Sequence, residues 1–96
     1  MNFEDFKKDI ENKLAKNTDF ELQEFHFEAY NFGSGTLSYR IKGRNHKFTF
    51  DGRENKLTWN VSKPHQKYSG AIFSELLKFE GLIIEEEILR KKIKSV

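Results

Sequence analysis

From Phe25 to Val61 the chain alternates apolar and polar residues with period two, in four runs separated by turn residues. Phe25, Phe27 and Ala29 share one parity. So do Leu37, Tyr39 and Ile41, then Phe48 and Phe50, then Leu57, Trp59 and Val61. Only an extended strand puts every second side chain on one face. Four such runs in a row, joined by short links, predict a four-stranded antiparallel meander with one apolar face.

The links specify a register. Gly33-Ser34-Gly35 lies between the first two runs, and pairing Thr36 with Phe32 sets Ala29 opposite Tyr39 and Phe27 opposite Ile41. Lys42-Gly43-Arg44-Asn45 reads as a two-residue hairpin with Gly43 first, the type II′ preference. It sets Tyr39 opposite Phe48 and Leu37 opposite Phe50. A four-residue loop from Gly52 to Asn55 sets Phe48 opposite Trp59 and Phe50 opposite Leu57. Leaving only Gly52 and Arg53 in that loop would instead oppose Asp51 to Glu54, two like charges. Phe20 and Leu22 have the wrong parity for Phe25, which calls for a bulge or a lead-in loop near Gln23.

Helices are expected on either side of the meander. Phe3, Phe6, Ile10 and Leu14 fall on one stripe at helical spacing. Asn2 can cap that helix, Glu4 and Asp5 suit its positive first turn, and Glu4–Lys8 and Asp9–Lys13 are favourable pairs. Beyond the polar segment Ser62–Gly70, which holds Pro64, the residues Ile72, Phe73, Leu76 and Leu77 mark a second helix. Gly81 would break or bend it. Glu85, Glu86 and Glu87 then precede Arg90, Lys91, Lys92 and Lys94, the order the helix dipole favours. Ile84, Ile88, Leu89 and Ile93 can bury one side, with Glu86–Arg90 and Glu87–Lys91 as pairs. A short strand at Leu82–Ile84 competes with a helical reading there. The fold class is therefore α+β. The C-terminal helix, in two segments, packs on one sheet face, and residues 1–96 form one domain.

Chemistry is conspicuous by what is missing. The chain has no cysteine, which rules out disulfides and thiolate sites and suits a reducing, cytoplasmic setting. Its first residues are charged rather than apolar, unlike a secretory leader, and no run is long enough to cross a membrane. No phosphate-binding loop, nucleophile elbow or paired metal-binding histidines occur. His46 is expected on the apolar face near Val61, and His26 on the other face near Lys42. A shared metal site is not expected, and neither a cofactor nor catalysis.

Charge is uneven along the sequence. Residues 36–69 hold eight basic and two acidic side chains, while residues 1–35 hold four basic and eight acidic. On the register above, Arg40 and Lys47 become cross-strand neighbours on the outer sheet face, with Glu28 beside Arg40. Tyr30 and Phe32 lie on that face as well. The candidate binding residues are Arg40, Lys42, Arg44, Lys47, Lys56 and Lys63, with His65, Lys67 and Tyr68 from the following loop. A protein partner is the first expectation for such a surface: the chain would be an adaptor, an immunity-type protein or an inhibitor, bacterial or phage-borne given a composition that suggests AT-rich coding. Nucleic acid on the basic face and the 62–70 loop is the alternative. Dimerisation through the C-terminal helix is a further option.

Overall fold

The computed structural model describes all residues, Met1–Val96. Its order is α1 (Phe3–Ala15), β1 (Glu21–Glu28), β2 (Ser34–Ile41), β3 (Arg44–Asp51), β4 (Lys56–Ser62), β5 (Phe73–Glu80) and α2 (Glu86–Ser95), with one 3₁₀ turn at Tyr68–Gly70. The α+β class holds, but the sheet has five strands in the order β1-β2-β3-β4-β5, one more than the alternation announced. No helix is long and apolar enough to cross a membrane.

Helix α1 forms as its sequence dictates. The Asn2 side chain accepts from the Asp5 amide at 2.8 Å, and the Asp5 carboxylate faces the Asn2 amide, a reciprocal capping box. Phe3, Phe6, Ile10 and Leu14 are all buried. Phe3 stacks near Phe25, Phe27 and Phe50, and Phe6 meets Phe48 edge-on. Asp9–Lys13 forms at 2.7 Å, whereas Glu4–Lys8 does not, and Lys7 pairs with Glu11 instead.

The largest correction lies just after Gly70, where the expected helix at Ile72–Leu77 is the strand β5, antiparallel to β4. A bulge explains the misleading spacing. The register slips between Trp59 and Asn60, leaving Leu76 as an extra residue between Glu75 and Leu77. Leu76 and Leu77 both pack on the core side, with Phe79 beyond them. A bulge thus makes a period-two strand mimic helical spacing at one point. Gly81, at φ +75°, ends this strand rather than a helix, and its amide donates to the Asn55 carbonyl at 2.8 Å. Residues Leu82–Ile84 are neither helix nor strand, and only the last segment is helical. In α2, Leu89 and Ile93 are buried, but Ile88 stays 36% exposed. Arg90 turns to Glu87 rather than Glu86, and Glu87 also meets Lys91.

The third hairpin has the expected register, with Phe48 opposite Trp59 and Phe50 opposite Leu57. The parity change in β1 is resolved by a bulge at Gln23. Two other registers differ. Lys42 and Gly43, both at positive φ, form the centre of the β2–β3 turn, so Tyr39 faces His46 and Leu37 faces Phe48. In the first hairpin a longer link pairs Phe27 with Gly35 and Phe25 with Leu37. Ala29, Tyr30 and Phe32 therefore lie in that link, not on a strand face. The packing of α1 accounts for the choice. Gly35 now sits between Phe27 and Phe50, and a Cβ there would come within 2.6 Å of the Phe3 ring. The smallest residue is placed where the helix presses its first aromatic against the sheet.

Candidate functional site at the basic end of the sheet

One end of the sheet's outer face is covered. The β4–β5 connection folds back over it as a strap. Tyr68 places its hydroxyl 3.1 Å from Ser38 Oγ and donates to Glu24. Both Arg40 and Asn45 donate to the Gln66 carbonyl, at 3.1 and 2.9 Å. The Lys47 ammonium lies over two rings, 5.4 Å from the centre of Tyr68 and 4.6 Å from that of Phe73. These contacts bury Ser38, Asn45 and Ser62, outward-facing polar residues that the alternation alone would leave wet.

Three of the candidate residues thereby hold the strap. Arg40, Lys47 and Tyr68 commit their polar groups or their ring to it. Burial and the neighbouring Glu24 carboxylate push the Tyr68 phenol up to about 12. Arg40 and Lys47 are not neighbours: Arg40 faces Asn45, and Lys47 faces Ser38. Glu28 is far from Arg40 in register, opposite Ser34, and it pairs with His26. His26 itself faces Thr36 rather than Lys42. Lys56 lies at the opposite end of the sheet, paired with Glu80.

The other five candidates come together. The Lys42-Gly43 turn and the strap meet at one end, where the His65 amide donates to the Gly43 carbonyl at 2.8 Å. The imidazole of His65 lies close to Gly43; a Cβ on that glycine would be 3.4 Å from the ring. His65 adopts φ +63°, a left-handed conformation uncommon for a residue with a side chain. Ser62 Oγ accepts from the Asn45 amide at 3.1 Å and donates to the Lys63 carbonyl at 2.9 Å. Two loops distant in sequence are thus stapled into one tip. Lys42, Lys63, His65 and Lys67 are exposed on it, and Arg44 is half-exposed. Lys42, Arg44, Lys63 and Lys67 belong to no ion pair within the chain. On one flank, Asp19 and Glu21 line a shallow depression with Arg40 and Lys42.

The far end of the sheet has a different character. Met1, Phe3, Phe27, Phe32, Phe50 and Ile83 line an open cleft of about 400 Å³. Phe32 is held at φ +54° with the Arg53 guanidinium 4.7 Å from its ring centre. Tyr30 beside it is fully exposed. Sequence reasoning places Tyr30 and Phe32 on the strand face and misses this end. A link whose residues break the alternation carries no periodic signal that would locate it.

Nowhere do three histidines or carboxylates gather in a metal-holding group. His46 is buried on the core side of the sheet as expected, near Val61 and bonded to Trp59. No protein-family model matches the sequence, no curated protein matches it, and no solved structure matches the fold.

Proposed function

We propose that the chain is a non-catalytic binding module that docks an acidic surface of a protein partner on its basic end. One observation carries this reading: Lys42, Arg44, Lys63 and Lys67 stand on two loops fastened to each other, and none of the four is committed to an ion pair within the chain. Unpaired cations on a rigid tip attract and orient an acidic partner without a large ordering cost. The absence of cysteine suits a partner in a reducing compartment such as the cytoplasm.

Nucleic acid is the less favoured ligand because a phosphate backbone needs a continuous basic track. Beyond the tip, the outer face carries its own acids: Glu80 pairs with Lys56, Glu75 pairs with Lys78, and Glu28 adds a further carboxylate beside His26. The strap covers the part of that face next to the tip, around Ser38, Arg40 and Asn45.

The test uses two baits, the wild-type chain and a Lys42→Glu/Arg44→Glu/Lys63→Glu/Lys67→Glu variant whose fold is checked by circular dichroism. A host protein held stoichiometrically by the first bait should bind the second at least about tenfold more weakly, mainly through a slower association rate. In parallel, fluorescence anisotropy at low salt measures binding to single- and double-stranded DNA and RNA. A partner indifferent to the four reversals would sink the proposal. Tight, salt-dependent nucleic-acid binding lost in the variant would replace it with the nucleic-acid reading.

A further inference from the structure

Both outermost strands leave one backbone edge unpaired, and their sequences treat that exposure differently. An unpaired edge is a template for another strand. Along β1 the outward-facing side chains include Glu24, His26 and Glu28, alternate positions of an edge strand. Two copies of β1 running antiparallel about His26 would set Glu24 against Glu28 twice, which like charges disfavour.

β5 is self-complementary. It reads Phe73-Ser74-Glu75-Leu76-Leu77-Lys78-Phe79-Glu80. Turned about a two-fold axis between Leu76 and Leu77, it sets Glu75 opposite Lys78 twice, Leu76 opposite Leu77 twice, and Ser74 opposite Phe79. In a regular strand such odd-spaced partners would point to opposite faces. The bulge removes that conflict. Glu75 and Lys78 pair in register with Asn60 and Thr58, both on the outer face, and their own side chains approach to 3.6 Å. Leu76 and Leu77 both pack on the core side. The partners required by the two-fold axis therefore share a face.

Two further observations agree. None of the hydrogen bonds outside the regular elements engages the backbone of residues 73–80, and β4 is the only strand that pairs with them. Leu76, Leu77 and Phe79 also remain half-buried, while Leu57 and Trp59 on the adjacent strand are fully buried. A second β5 edge would supply the missing neighbours. Helix α2, by contrast, buries Leu89 and Ile93 in its own core and leaves Ile88 as its only exposed large apolar side chain.

We propose that two copies of this chain associate through antiparallel β5–β5 pairing into one continuous ten-stranded sheet, with Glu75 and Lys78 as reciprocal cross-strand ion pairs. The contact is isologous and closes on itself, so it yields a dimer rather than a filament. It leaves both basic ends free, and it stands whether or not they bind a partner.

Charge reversal tests the register. Sedimentation equilibrium across a wide concentration range should find the wild type dimerising. Glu75→Lys places lysine opposite lysine, and Lys78→Glu places glutamate opposite glutamate. Each alone should weaken self-association by about tenfold or more. Mixed together, the two variants should form a heterodimer, because every cross-strand pair is then again of opposite sign. Donor and acceptor dyes on the two variants read this directly. Both positions are exposed, so the monomer fold should survive, as circular dichroism will verify. A wild type that stays monomeric at millimolar concentration overturns the proposal. So does a dimer that neither variant weakens, or two variants that fail to recombine.

Discussion

The indole Nε1–H of Trp59 donates to Nδ1 of His46 at 3.1 Å, between neighbouring strands and out of contact with water. The acceptor role requires a neutral imidazole with its proton on Nε2. Burial, and secondarily the positive charge of Arg44, hold His46 down at about 4, against an ordinary value of 6.5. In the unfolded chain the ring takes up a proton as pH falls through 6.5, while in the folded chain it does not until about 4. The unfolded state therefore binds the extra proton between those values, and stability is lost as pH falls through that window. The loss is about 2 kcal/mol at pH 5 and levels off below pH 4. His46→Gln keeps an acceptor for the indole and removes the titration. Urea unfolding followed by Trp59 fluorescence should show the variant's deficit shrinking from pH 7.5 to pH 5. A deficit independent of pH would contradict the assignment.

Two phenols act at the other extreme. Burial and the Glu11 carboxylate, which accepts from the Tyr39 hydroxyl at 2.9 Å, raise Tyr39 beyond the ordinary tyrosine range. Tyr68 is raised to about 12 by burial and Glu24. An unfolded tyrosine ionises near 10, so above that pH the unfolded chain releases protons the folded chain retains, and stability falls as pH rises. Absorbance at 295 nm should show Tyr39 and Tyr68 un-ionised at pH 11 until the protein unfolds. Early ionisation of either, with the fold intact, would refute its burial.

Gly52 is required for space rather than for an unusual backbone angle. A Cβ there would lie 1.8 Å from the carbonyl oxygen of Phe32, a backbone atom that cannot swing aside. Gly52→Ala should cost about 1–3 kcal/mol in urea unfolding, and it should disturb the link that displays Tyr30 and Phe32. Gly70→Ala, where nothing lies within 4 Å, serves as the control and should change stability by less than about 0.5 kcal/mol. Equal effects at the two sites would contradict the close approach.

Ser62 joins the strap to the β2–β3 hairpin. Its hydroxyl oxygen accepts from both the amide and the side chain of Asn45, at 3.1 and 3.3 Å. Ser62→Ala leaves that buried amide without a partner and should cost about 1–3 kcal/mol. Hydrogen exchange at the His65 amide should speed up more than exchange along β4, because the tip loosens before the sheet does. Uniform acceleration would mean that the serine supports the whole sheet and not the tip.

Much of this architecture is legible along the chain because parity is a local property. The Asn2 cap, the Phe3–Leu14 stripe, the bulge at Gln23 and the Phe48–Trp59 pairing all follow from residues close to one another in sequence. Parity cannot distinguish registers that differ by an even number of residues, since each keeps the aromatics on one face. The first two hairpins fall in that blind spot. The candidate site was legible as a basic stretch of chain, but not as a tip. Whether Arg40 and Lys47 face water or hold Gln66 and Tyr68 depends on a strap far from them in sequence.

The alternation from Phe25 to Val61 determined on its own that the chain would fold as a meander with an aromatic face, because strand geometry leaves those side chains no other common side. Tertiary structure decided the rest. Phe3 presses against Gly35 and selects the register. The uncovered edge of β4 draws Phe73–Glu80 into a fifth strand, although its spacing imitates a helix. The strap gathers Lys42, Arg44, Lys63, His65 and Lys67 at one end. Such long-range contacts are made only once the sheet exists to receive them, and they left no period in the sequence to read.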